Sequence, residues 1–157
     1  SVGLGQSVPA ARLHITEGAL GNEVLRVESV ASNDDPSARV FQNKVTTTDA
    51  TQTTLHTFTI PASTTVMING LVVARRTGGG LGTAEDGGAY TITATFKNVA
   101  GVATQIGVIS LLVSQEDQAL MDVTFTVSGA TALCRVTGTA QNDFSWAGTF
   151  WLYQVGT

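Results

Sequence analysis

The sequence holds one cysteine, two histidines and three prolines in 157 residues, and charged residues make up only 13% of it. A lone Cys134 excludes an intramolecular disulfide. Set among Ala132, Leu133, Arg135 and Val136, it reads as a small buried hydrophobe on a strand. His14 and His56 lie far apart, with no further ligand at metal-binding spacing, so neither a metal nor a cofactor is expected. Three copies of His56 gathered about a trimer axis are the one exception the pattern allows. Lys and Arg number eight against a net charge of −4, and Arg75-Arg76 is the one adjacent basic pair. That speaks against a phosphate-tracking surface, and no nucleic acid is expected as a partner. No apolar run approaches the roughly 18 residues of a spanning helix, so no membrane insertion is expected. Asn-x-Ser/Thr does not occur, and Ser1 to Gly5 lack the basic start and apolar core of a signal peptide. The start at Ser1 in place of Met is read as that of a piece of a longer chain.

Thr, Ser and Gly stand where the charge is missing, and 43% of the residues are hydrophobic. Thr suits a pleated, half-buried surface and Gly punctuates turns, so the composition predicts an all-β chain. Its texture changes near Lys44. Residues 1–44 hold short strand-like pieces, Ala11 to Ile15 and Glu23 to Glu28, between turn-rich stretches at 17–22 and 32–36. Such pieces bury too little to fold alone, and something else must cover them.

Residues 45–157 predict about seven strands with turns between them. Tyr90 to Lys97 and Val123 to Ser128 alternate apolar and polar residues, the period of a strand with one wet face. Stretches 66–75 and 106–113 are more continuously apolar, as for strands covered on both faces. This spacing predicts a β-sandwich head, with a jelly roll as the favoured form. One helical turn is expected over 115–121. On the last strand Trp146, Phe150 and Leu152 face one way while Trp151 and Tyr153 face the other. Aromatics on both faces suit a strand held between its own core and a neighbouring subunit; burial within one domain and a sugar-stacking platform are the alternatives.

Chemistry is sparse. The glycine-rich stretch 77–88 lacks the Lys-Ser/Thr that ends a phosphate loop and is followed by acids and a strand, so it reads as a long, mobile contact loop. No Gly-x-Ser-x-Gly elbow occurs, and no catalytic residue is assigned. Paired carboxylates for a glycosidase, or oxygen ligands for calcium, would have to come from Glu85, Asp86, Glu116, Asp117, Asp122 and Asp143, all near predicted turns. Loops carry contacts more often than strands do. The candidate binding residues are therefore Gly78, Gly79, Gly80, Glu85, Asp86, Glu116, Asp117, Asn142 and Asp143.

The phrase Val2-Gly3-Leu4-Gly5-Gln6-Ser7-Val8-Pro9-Ala10-Ala11-Arg12-Leu13-His14-Ile15 resembles the VGIGT-x-x-P-x-A-K-L-H-V phrase of bacteriophage tail fibres and tailspikes, with Arg12 for Lys and Gln6 for Thr. Stretches 65–79, 90–101 and 127–153 are similar to the terminal head modules of phage structural proteins. The resemblance implies a short, intertwined N-terminal β stalk over residues 1–44 and a sandwich head over 45–157. It implies a homotrimer on a virion tail or capsid surface, extracellular when functional, that contacts a host-surface polysaccharide or protein. Leu13, Ile15, Val24, Leu25, Val27, Trp151 and Tyr153 are then the candidate trimer contacts. The expectation is a structural, non-enzymatic fibre protein. A capsid decoration protein without a receptor role and a polysaccharide depolymerase with carboxylates shared between subunits are the alternatives.

Overall fold

Eleven strands and no helix make up the described chain, residues 2–4, 13–15, 19, 21–28 and 37–156 of this computed structural model. β1 (Val2–Leu4) and β2 (Leu13–Ile15) pair in parallel as a two-stranded sheet. β3 (Glu23–Glu28), β4 (Ser37–Thr47), β6 (Thr64–Gly79), β7 (Gly87–Val99), β8 (Val102–Glu116) and β11 (Asn142–Gly156) form an antiparallel sheet in the order β3-β4-β11-β6-β7-β8. β5 (Thr53–Thr59), β9 (Asp122–Ser128) and β10 (Thr131–Thr137) form a second antiparallel sheet in the order β5-β10-β9.

Strict alternation builds the core between these two sheets. Along β6, Val66, Ile68, Val72 and Ala74 are buried while Met67, Leu71 and Val73 are exposed. β7 contributes Tyr90, Ile92, Ala94 and Phe96, and β11 contributes Phe144, Trp146, Phe150 and Leu152. The small sheet answers with Leu55, Phe58, Val123, Phe125, Ala132, Cys134 and Val136. The buried Trp146 indole donates to Thr47 Oγ1 at 2.9 Å, which removes the cost of an unpaired N–H. Burial pushes the Cys134 thiol up to about 12, so it stays a neutral core atom.

Phe150 fixes the middle of the sandwich. Its ring lies over two glycines, Gly70 on β6 and Gly148 on its own strand. A methyl group added at Gly70 would come within 2.8 Å of that ring, and one at Gly148 within 2.6 Å. Glycine is needed there for close approach, not for backbone freedom. His56 sits in the same aromatic cluster, its ring centroid 4.3 Å from Phe58 and 5.2 Å from Phe41.

The structure differs from the sequence reading in four respects. Three strands on six are not the paired four-stranded sheets of a jelly roll, and β6-β7-β8 is a simple meander. β4 runs through residue 44 without a break and pairs with β11 from Thr47 to Ser37. The helical turn expected over 115–121 is absent, because β8 continues to Glu116 and the chain reverses at Leu120 with φ +82°. β6, read as covered on both faces, is covered on one, and β8, read the same way over 106–113, leaves Ile106, Val108, Leu111 and Leu112 exposed. The turn-rich stretch 32–36 and most of the stalk phrase lie outside the described residues.

Two consequences can be measured. Gly70→Ala and Gly148→Ala each force Phe150 off its seat and lower unfolding free energy by about 1–3 kcal/mol in urea titration. Burial pulls His56 down from 6.5 to about 4. The folded state thus refuses a proton that the unfolded chain accepts, so stability is full above pH 6.5 and falls as pH drops toward 4. The loss totals up to about 3 kcal/mol, and His56→Phe removes this slope from the pH dependence of the urea midpoint.

Candidate functional site

Antiparallel order sends the longer connections to one end of the sandwich. Segments 48–52, 80–86, 117–121 and 138–141 all emerge there, where β6, β8 and β10 stop and β7, β9 and β11 begin. The opposite end is closed by tight turns, two of them at 100–101 and 129–130. Adaptable side chains are therefore concentrated on one rim of a rigid scaffold.

Gln118 ties these loops together. Its Nε2 donates to Asp86 Oδ2 at 2.5 Å, and its Oε1 accepts from Thr139 Oγ1 at 2.6 Å and from Asn142 Nδ2 at 3.1 Å. Asn142 also donates to Thr139 Oγ1 at 2.9 Å, and its Oδ1 accepts from Arg76 Nε at 2.8 Å. Arg76 Nη2 donates to the Gly79 carbonyl at 2.8 Å, and the Arg76 N–H donates to the Asp86 carbonyl at 2.7 Å. One side-chain amide thus links the loops 80–86, 117–121 and 138–141 to the end of β6. The Asn142–Thr139 bond at the centre of this network is buried and the bonds around it are partly buried, so the loss of Asn142 or Thr139 would leave a desolvated polar atom.

The acids of the rim are structural partners first. Asp86 Oδ2 also accepts from the Thr83 N–H at 2.7 Å; the Gln118 amide and then this N–H hold its carboxyl below the usual range. Asp117 Oδ2 accepts from the Gly87 N–H at 2.8 Å, and the Gly87 carbonyl accepts from the Asp117 N–H at 3.0 Å. Glu116 Oε2 accepts from the Tyr90 hydroxyl at 2.8 Å, and burial followed by this bond pushes the phenol up. Glu85 pairs with Arg75 at 2.8 Å, and both side chains face solvent. Three of the five non-glycine residues with positive φ among the described residues lie at this end, Glu85, Leu120 and Gln141 at +73°, +82° and +59°, and Ser63 and Ala100 lie at the other. At Gly79, with φ +100°, a Cβ would run into the Gln141 carbonyl.

All nine loop candidates from the sequence lie at this end. Gly78 and Gly79 pair in register with Asp143 and Asn142, Gly80 donates to the Gln141 carbonyl, and Glu116 pairs with Gly88. The stretch 77–88 is shorter and more tied down than the sequence suggested, since β6 runs to Gly79 and β7 starts at Gly87. Gln118, Thr139, Arg76 and Tyr90 were not among the candidates. Two open recesses flank the rim: about 710 Å³ between Gly87 to Ala89 and Ser114 to Asp117, and about 340 Å³ around Arg75, Thr77 and Glu85. Both are open; the larger is lined by Ser114, Gln115, Glu116 and Asp117, and the smaller by Arg75, Arg76 and Glu85. That chemistry suits the hydroxyls of a polymer lying across the rim better than an enclosed small molecule. Among the described residues no three His, Cys, Asp or Glu side chains are grouped to hold a metal ion.

The subunit-contact candidates lie elsewhere. Trp151 and Tyr153 are half-exposed on the face of β11 turned away from the core, and Leu25 and Val27 are exposed on β3. Val24 is half-buried, and the side chains of Leu13 and Ile15 lie outside the described residues. No helix among the described residues is long and apolar enough to cross a membrane.

No protein-family model matches the sequence, and no curated protein matches it. Among solved structures the chain is similar to three phage tailspikes. Over 80% of its length it aligns with the tailspike of Acinetobacter baumannii bacteriophage Fri1, a capsular polysaccharide depolymerase, at 10% identity and a TM-score of 0.44. Over 75% it aligns with the tailspike of Acinetobacter baumannii phage AM24 at 11% identity and a TM-score of 0.41. Over 76% it aligns with the tailspike of Acinetobacter phage vB_ApiP_P1 at 14% identity and a TM-score of 0.30. The chain spans 19%, 27% and 21% of the length of these three proteins. The expectation of a non-enzymatic chain is corrected by this finding, because the Fri1 tailspike is a depolymerase. That expectation rested on the lack of a linear catalytic motif, and such a lack does not exclude an enzyme.

Proposed function

We propose that this chain is part of a homotrimeric phage tail fibre or tailspike, and that its loop-bearing rim contacts the polysaccharide of the host surface. The convergence of three loops on Gln118 carries this reading: it ties 80–86, 117–121 and 138–141 together at the end of the sheets where Arg75, Glu85, Asp117 and Asp143 also lie. The resemblance of Val2 to Ile15 to a tail-fibre stalk phrase supports the virion tail as location and a stalk ahead of the head. The pairing of both β3 and β4 into the large sheet supports a joint between stalk and head before Glu23. Three rims on one assembly would bind by avidity, each contact weak.

Capsular polysaccharide is the ligand class to test, as it is the substrate class of the Fri1 tailspike. Immobilised bacterial capsular polysaccharides, those of Acinetobacter baumannii included, are expected to retain the wild-type protein. Gln118→Ala is expected to weaken retention at least about tenfold while the protein stays folded, and Thr59→Glu, at the far end of the small sheet, is expected to leave it unchanged. Retention of neither capsule nor host cells by the wild type would sink the proposal and favour a capsid decoration protein. Equal retention of Gln118→Ala would move the site off the rim. New reducing ends in the same samples report cleavage. Release that persists in Glu116→Gln, Asp122→Asn and Asp143→Asn takes these acids out of the reaction.

A further inference from the structure

We propose that the outer face of the six-stranded sheet is the surface on which copies of this chain pack against one another. This deepens the self-assembly part of the reading above and is independent of what the rim binds.

A sheet face left to solvent normally carries charge in alternation with the buried row. Here it does not. Met67, Leu71 and Val73 on β6 and Trp151 and Tyr153 on β11 turn away from the core and are 39–55% exposed. The register sets Met67 beside Tyr153, and the two aromatic rings of β11 lie within 13° of parallel with centroids 6.5 Å apart. On the outward sides of β4, β6, β7 and β11 the charged residues are Lys44, Arg75, Lys97 and Asp143, each within four residues of a strand end. Between them run Thr, Asn, Ser, Ala and the apolar side chains. The near-continuous apolar run 66–75 is that of a strand covered on both faces, yet the chain itself covers one.

Size and charge select the occupant. Six strands at about 4.8 Å spacing and the eleven-pair ladder between β11 and β4 give a face of roughly 24 by 37 Å, or about 900 Å². A standard stable interface takes about 800 Å² from each partner. A surface with little charge lets two copies that each carry a net charge of −4 meet with little local repulsion. A nucleic acid would find no row of cations here, and a glycan stacked on the aromatic rings would leave Leu71 and Val73 without a partner.

Light scattering on a sizing column tests this without any polysaccharide present. The wild type is expected to run as a multiple of the 16.3 kDa chain. Leu71→Glu combined with Trp151→Glu is expected to run as a monomer with an unchanged β circular-dichroism spectrum. Thr59→Glu, on the outer face of the small sheet, serves as a control and is expected to keep the wild-type mass. A monomeric wild type at high concentration overturns the proposal, as does a double variant that keeps the full assembly. A monomeric wild type whose tryptophan fluorescence shifts on adding capsular polysaccharide, with the shift lost in Trp151→Glu, overturns it in favour of a glycan platform.

Discussion

Strand β11 is the constraint on which the other elements depend. It lies between β4 and β6 in the large sheet, pairing with eleven residues of the first and nearly the whole length of the second. Its inward row, Phe144, Trp146, Phe150 and Leu152, is the largest contribution of one strand to the core. A slip of one residue would turn this row out to solvent and bring Trp151 and Tyr153 in, so burial pins the register strongly. Gly70 and Gly148 tighten the constraint, because only at those two positions can the Phe150 ring lie against backbone. With β11 fixed, its first residues Asn142 and Asp143 are fixed beside Gly79 and Gly78, and the rim follows.

At the rim, the acids that look most like catalytic or ligand groups are occupied in holding loops. Asp86 and Asp117 each satisfy backbone N–H groups that strand ends leave open, and Glu116 satisfies a buried phenol. What remains free to meet a partner is the outward part of these groups, the exposed Arg75–Glu85 pair and the strained turn at Leu120. Positive φ at three non-glycine residues is tolerated here because the hydrogen-bond network over-determines the backbone. A rim of this kind is rigid where it joins the sheets and polar where it faces outward.

Much of the fold was legible in residue order. The alternation of Tyr90 to Lys97 and of Val123 to Ser128, and the opposed faces of Trp146 and Trp151, follow directly from the period of a strand. The placement of nine candidate residues at one end came from turn signals alone, since antiparallel strands send alternate turns to the same end. Gln118 was hidden because a neutral amide in a short polar stretch carries no motif, and that stretch reads equally well as a helical turn. Arg76 was visible as half of a basic pair, yet its partner Asn142 lies 66 residues away and only the sheet brings them together. Coverage of the outer face was hidden in the other direction. The pattern of 66–75 asks for two covered faces, and a single chain supplies one.

The central claim is that loops tied to Gln118 form the face presented to a host polysaccharide. Hydrogen–deuterium exchange read by mass spectrometry, with and without a retained capsular polysaccharide, tests it most directly. The account predicts added protection confined to 80–86, 117–121 and 138–143, with the turns at 100–101 and 129–130 unchanged. Protection at those far turns, or on the strands of the small sheet, with the rim left unchanged would contradict it.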